Sequence, residues 1–538
     1  MNSANLENLN SDVMSHVCFF LEKCDVDSMS LTCRKCYNNS LNYKLHSFYL
    51  KTNKIPNLSR FRHIILGNDF NGFLDNIPSS ITHLILGYWF NQSLVSIPSS
   101  SKITHLTFGH SFNKPLQGMP LSVTNLTFGY TFNQSLQGMS STVTHLKFGS
   151  HFNQSLVGMS PSVKHLEFGY YFNQSLVGMS PSVTHLKFGV NFNQSLEGIS
   201  SNITHLIFGD NFNQSIEGMS SLLPQLTHLT FGSNFNQSLI GMPQSVIHLT
   251  FGTYFNQSLI GMSSSVKHLI FGNCFNRTLE GMSPNVTHLT FGSGFNESLY
   301  EMSKLSQLTH IKFGDDFNGS LYWMPTSVMY ISFGRAFSSS LKGISPSVVH
   351  ISFGYNFNRL LDGMSSLLRL THLTFGHDFN QSLCGIPPSV THLAFGHCFN
   401  QSLIGMSALL PSLTYIKFGD GFEQSLIGMP SSVKIIFTGD WFSESLIGMS
   451  PSVTHLILGV NFHQSLFGMP SSVTHLTLGD DYNMPLTELP STVTHLTFKN
   501  NYEREIPHTV KFLNGAPYYH ITPHYHITQG GWKKMKVE

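Results

Sequence analysis

The sequence predicts a solenoid, mainly β with one short parallel strand per 20-residue coil, preceded by a small all-α segment. Three observations carry this reading. From about residue 58 the unit Val-Thr-His-Leu-x-Phe-Gly-x-x-Phe-Asn-Gln-Ser-Leu-x-Gly-Met-Ser/Pro-x-Ser recurs, its second Phe falling at 21 positions from Phe70 to Tyr482, the last occupied by Tyr. Of the 20 intervals between these positions, fifteen are 20 residues and five are longer by 2 or 3, which is the signature of a repeat array that grows by adding units. Each unit also holds one short alternation: in Val143 to Phe148, Leu146 and Phe148 share one face, which leaves His145 and Lys147 on the other. The rest of the unit, such as Asn153 to Ser162, carries Gly and often Pro and is too short for a helix plus two turns. It reads as an extended or single-turn return path.

The spacing of Val143, Leu146 and Phe148 follows an L-x-x-L-x-L pattern, so the solenoid is leucine-rich-repeat-like. A thin return path implies weak curvature. Three of the longer intervals add leucines ahead of the strand, at Ser221 to Leu226, Ser366 to Leu370 and Ala408 to Leu413, and predict one helical turn on the outer side. The domain boundaries follow: 1–50 helical, 51–513 a solenoid of about 22 coils, and 514–538 a tail in which His520, His524 and His526 read as surface residues.

Composition narrows the function. Charged residues are 11% of the 538, against roughly 25% in an ordinary soluble domain, so solubility rests on Asn, Ser, Thr, Gln and His. A formal charge of +1 gives no field for nucleic acid or an anionic membrane. Met1 to Asn5 lacks the basic and apolar regions of a signal peptide, and no stretch reaches the ~18 apolar residues of a membrane span; a soluble, cytoplasmic monomer is expected. Seven unevenly spread cysteines fit reduced thiols, and the recurrent Asn-Gln-Ser is read as structural although it matches a glycosylation acceptor. No paired carboxylates, nucleophile elbow or phosphate loop is visible, so neither catalysis nor a cofactor nor a metal is expected.

Stacked coils place equivalent residues ~4.8 Å apart in ladders. The Asn column (Asn71, Asn91, Asn113 and successors) is expected to turn inward and bond loop backbone, with breaks at Ser338, Glu423, Ser443 and His463. At the strand position that follows Thr in the repeat unit, 18 of 22 strands carry His; the others carry Asn125, Tyr330, Tyr415 or Ile435. Such a row favours neutral imidazoles at pH 7, since charged neighbours repel by roughly 0.9 kcal/mol per pair in water. An invariant ladder cannot address one partner, so recognition is assigned to the variable outward positions: Lys147, Lys187 and Lys312 on the strands, and Tyr130, Tyr170, Tyr171, Asp210 and Asp315 at the strand exits.

The repeat, with Phe-Asn followed by Gln-Ser and the later Ile77-Pro78, Met242-Pro243 and Met469-Pro470, resembles the FNIP repeat, a leucine-rich-repeat relative found in proteins of social amoebae and giant amoeba-infecting viruses. Leu9 to Leu21, with Ser11-Asp12 as a helix cap, followed by Ser30-Leu31-Thr32-Cys33-Arg34-Lys35-Cys36-Tyr37, resembles an F-box, with Asn10 where that family carries Pro. The F-box resemblance implies a Skp-family adaptor and a cullin ligase as partners, with Leu9, Val13, Val17 and Leu21 at the adaptor contact and the solenoid holding an unidentified target protein. The alternatives weighed are zinc binding by Cys18, Cys24, Cys33 and Cys36, a scaffold whose N-terminal helices only cap the array, and a secreted, glycosylated adhesin.

Overall fold

The computed structural model describes residues 48–50, 62–498, 502–517, 527–528 and 531–532. The F-box-like segment, its cysteines and the tail histidines lie outside them. The chain divides into two units, Met1–Gly252 and Thr253–Glu538, built by the same rule.

In the first unit, strands from Phe48–Leu50 through His145–Lys147 to His248–Thr250 pair in parallel. Their register is strict, with Leu146 opposite both Leu126 and Leu166. The second unit repeats this from His268–Ile270 to His495–Phe498, with Leu289 opposite Leu269 and Ile311. Its last coil departs from the rule. Phe512–Leu513 pairs in parallel with the strand before it, then turns through Asn514 and Gly515, at φ 49° and 79°, into the antiparallel Ala516–Pro517. Two successive positive φ values suit an Asn-Gly hairpin, and Asn514 Oδ1 also accepts the Phe498 N–H at 2.8 Å.

The alternation read from the sequence is observed. Leu146, Phe148 and Phe152 are buried, while His145 and Lys147 face solvent. Within a coil the two Phe rings stack 3.8 Å apart, as Phe148 does on Phe152. Each fully buried aromatic side chain contributes roughly 1.5–3 kcal/mol of hydrophobic stabilisation, and the pair recurs through most coils.

Near-straight stacking does not hold between neighbours. Histidine rings on consecutive strands are 4.1–4.4 Å apart from His145 to His228. The strand-end Phe rings over the same coils are 5.6–5.7 Å apart, and the anchor Phe rings 6.0–6.2 Å. Equivalent groups whose separation grows with depth require a rotation from coil to coil, so each coil is a wedge with its thin edge at the strands. Two aromatic rings per coil make the interior thicker than the strand spacing.

Two glycine columns permit the stacking. A Cβ on Gly169 would lie 1.9 Å from the Gly149 carbonyl oxygen, so backbone meets backbone immediately after the strand. Gly158 has φ 94° and turns the return path.

The Ser/Pro alternation after Met has a shared purpose. Where Ser follows Met, its hydroxyl donates to a carbonyl of the coil before: Ser180 reaches Val163 O at 3.1 Å and Pro161 O at 2.7 Å. Where Pro stands there, the Ser two residues on takes over, as Ser122 does on Ile103 O and Ser245 on Leu226 O, both at 2.7 Å. Either way the carbonyl that precedes the strand of the previous coil is satisfied.

The three leucine-bearing insertions form single turns, Met219–Leu222, Met364–Ser366 and Met406–Leu409. A fourth, Tyr300–Lys304, forms in the 22-residue interval after Phe295. There Leu305 and Leu308 are buried as Leu223 and Leu226 are.

Phe172→Ala is expected to cost about 3–5 kcal/mol. Because coils contact only their neighbours, the loss is expected as faster amide exchange in the coils on either side of residue 172, with distant coils unchanged. Ser180→Ala is expected to cost about 1–3 kcal/mol by orphaning the Val163 carbonyl, measured by urea unfolding, whereas Ser122→Ala alone in a Pro-type coil reproduces the same loss.

Candidate functional site

The strand face is a row of imidazoles, most of them fixed from below by a preceding threonine. Thr204 Oγ1 lies 2.9 Å from His205 Nδ1 and 3.2 Å from the Thr184 carbonyl, and the same clamp recurs at Thr287-His288 and Thr391-His392. Where Thr precedes both histidines, holding the rings by Nδ1 keeps them near parallel: His185 and His205 lie 11° from parallel, as do His288 and His310. Tyr330 continues the stack at 4.2 Å from His310. Asn125 keeps the threonine bond without a ring, its Oδ1 accepting from Thr124 Oγ1 at 2.9 Å.

Burial, and then the neighbouring imidazoles His105 and His63, push His83 down to about 4. The same order of causes lowers His165, His205, His310, His372 and His475. These six imidazoles are therefore neutral at pH 7.

The asparagine column sits at the rim and does not turn into the core. Asn153 is half-buried, and its N–H donates to Asn133 Oδ1 at 2.9 Å, a link repeated from Asn71 to Asn236 in the first unit. The geometry explains the position: a side chain lying along the rim spans to the next coil, which an inward one does not. Ser338 and Glu423 still donate to Asn318 and Asn400 but carry no amide to pass the link onward.

The predicted recognition residues are all exposed, and the structure sorts them into three groups. Lys147 and Lys187 flank Glu167 on adjacent strands, at 3.1 and 2.9 Å, and so form a small ion network. Burial alone raises the Glu167 carboxyl, but hydrogen bonds from Lys187 and Lys147 together with their charges outweigh it and hold it below the ordinary range.

Tyr130 and Tyr171 join an aromatic run at the strand exits. Tyr88 stacks on His110 at 4.4 Å, His110 on Tyr130 at 4.7 Å, and His151 bridges Tyr130 and Tyr171; Tyr170 meets Tyr171 edge-on. The sequence reading missed this continuity, whose signal is the recurrence of aromatics at the pair after Gly.

Lys312 and Asp315 line a shallow groove of about 610 Å³ in the second unit, together with Arg335 and Tyr355. Arg335 sits 5.1 Å from the centre of the Tyr355 ring, a cation–π arrangement. Asp315 and Asp210 also serve the backbone, since Asp315 Oδ1 accepts the Arg335 N–H and Asp210 Oδ1 accepts from Ser233 N and Oγ. These carboxylates are partly structural.

The FNIP repeat pattern matches residues 70–109, 90–131, 112–151, 132–171, 152–191, 192–234, 220–254, 235–274, 369–398, 379–421 and 468–501, more than half of the chain. The chain belongs to the FNIP-repeat family. The coils of this FNIP protein between the matched stretches keep the fold although Asn-Gln becomes Asn276-Arg277, Asn296-Glu297 or Ser338-Ser339.

A solved structure, CroV588, described as a novel circular LRR protein, is 33% identical to this FNIP chain with a TM-score of 0.75, covering 90% of this chain and 86% of that one. YopM from Yersinia enterocolitica follows at 14% identity and TM-score 0.37, covering 93% of this chain and 97% of that one. No curated protein matches significantly. Among the described residues no helix is long and apolar enough to cross a membrane.

Folded-state values below the unfolded 6.5 mean that the native state binds fewer protons in acid. The stabilisation is present above pH 6.5 and is lost as pH falls through the folded values, down to about 4 for His83. Thermal midpoints are expected to fall steadily between pH 6.5 and 4, and His165→Asn with His205→Asn is expected to reduce the slope. Glu167→Gln is expected to change unfolding free energy by less than about 1 kcal/mol, because both lysines are largely exposed; chemical denaturation checks this.

Proposed function

We propose that the chain is a non-enzymatic protein-interaction solenoid acting as the target-recognition subunit of a Skp-cullin-F-box ubiquitin ligase in the cytoplasm, which is the host's cytoplasm if the chain is viral. The observation that carries the interaction role is the separation of jobs within each coil. Buried Phe and Leu, the glycine columns and the Asn and Ser ladders leave little freedom, while the outward strand position and the strand-exit pair vary from coil to coil. Lys147, Lys187, Lys312, Tyr130, Tyr170, Tyr171, Asp210 and Asp315 then address one target on a rigid scaffold. The ligase role is supported by the F-box resemblance of residues 9–37, through which Leu9, Val13, Val17 and Leu21 would dock the Skp-family adaptor.

A second reading is favoured by one observation: Phe48–Leu50 already pairs with Ile64–Leu66, so the array begins directly after the N-terminal segment. In that reading residues 6–46 only cap the solenoid.

Purifying the full chain with a Skp-family adaptor separates the two. A stoichiometric complex lost in Leu9→Asp/Val13→Asp is expected for the ligase subunit. Absence of a complex with an intact array, together with aggregation on removing residues 6–46, would assign the segment to capping.

A further inference from the structure

The strand-exit pair places three metal-ligating side chains of different chemistry together in the second unit. His377-Asp378 follows the strand His372–Thr374, and His397-Cys398 occupies the same pair one coil later. His377 Nδ1 lies 2.7 Å from Asp378 Oδ1 and 3.6 Å from Cys398 Sγ, and the three ligand atoms all lie within 4.8 Å of one another. We propose that His377, Asp378 and Cys398 form a three-ligand site for a zinc-class transition-metal ion, with its fourth position open to water or to a donor atom from a bound partner.

The distances fit. A tetrahedral zinc with Zn–S of about 2.3 Å and Zn–N of about 2.0–2.1 Å has an S···N edge of about 3.6 Å, which is the observed separation. The N···O edge would be about 3.3 Å by the same geometry, so the His377–Asp378 hydrogen bond opens by a fraction of an ångström as its proton is displaced. One nitrogen, one carboxylate oxygen and one thiolate sulfur make a set that suits zinc and disfavours magnesium or calcium.

The surroundings hold the ligands in place. The His377 ring is sandwiched between Tyr355 at 4.2 Å and His397 at 4.9 Å. The Cys398 N–H donates to the His377 carbonyl at 2.8 Å, which fixes the spacing of the two coils. Gly421 occupies the position of Cys398 in the following coil, so no side chain from that position covers the sulfur. All three ligands are half-buried, accessible to an ion yet shielded from bulk water on the core side. This donor set is invisible to local motif reading, because the cysteine lies 21 residues from the histidine and becomes its neighbour only when coils stack.

Cobalt(II) titration of the reduced full chain tests the site, since thiolate-to-cobalt charge-transfer absorption reports sulfur ligation and the histidine face alone gives none. One equivalent of this absorption is expected to vanish in Cys398→Ser, to need at least about tenfold more cobalt in His377→Ala and Asp378→Asn, and to persist in Cys384→Ser. Zinc is expected to bleach it. Thermal unfolding of each variant establishes that the array is intact. Absorption identical in the unsubstituted chain and in folded Cys398→Ser, or unaffected by both His377→Ala and Asp378→Asn, would overturn the proposal.

Discussion

The approach of backbone to backbone immediately after each strand is the constraint on which the other columns depend. With no side chain on Gly149 and Gly169, the following residues can donate from coil to coil, as Tyr171 N does to the Ser150 carbonyl at 2.9 Å. That closeness puts the threonine hydroxyls, rim asparagines and return-path serines within reach of the preceding coil. A Cβ at this column would push neighbours apart at the very place where every ladder starts. The polar satisfaction of a chain with so few charges follows from it, since Asn, Ser and Thr replace water as partners of the turning backbone.

Because the rings inside are thicker than the strands outside, the strand face is the compressed face. This is why imidazoles crowd to just over 4 Å there, closer than the usual interstrand spacing of ~4.8 Å. Core packing thereby reaches the chemistry of the surface: the aromatic pair Phe148 and Phe152 sets the wedge, and the wedge sets how strongly neighbouring histidines oppose each other's protonation.

Most of the fold was legible in the sequence because its signals are local and repeated. The alternation of Leu146 and Phe148 with His145 and Lys147 needs only a six-residue window, and the leucines after Ser221 mark a turn by their own spacing. The turn at Tyr300–Lys304 escaped because Lys304, Ser306 and Gln307 dilute the apolar signal that Leu305 and Leu308 share with Leu223 and Leu226. What was not legible is relational. The rim placement of the asparagines, the exchange of Ser180 for Ser122 as carbonyl partner, and the meeting of His377 with Cys398 all depend on which atom of the previous coil lies opposite. For the recognition rows, exposure followed from alternation, but the structural duty of Asp210 and Asp315 did not.

The hairpin through Asn514 and Gly515 turns the last strand back on itself and places Pro517 opposite Phe512. An edge strand that ended open would offer its free amides and carbonyls as a template for a strand from another molecule. Here those groups face a short antiparallel partner whose proline has no donor. The edge of Phe512–Leu513 that faces away from the array is thereby occupied from within the chain, so the last parallel strand closes on its own continuation.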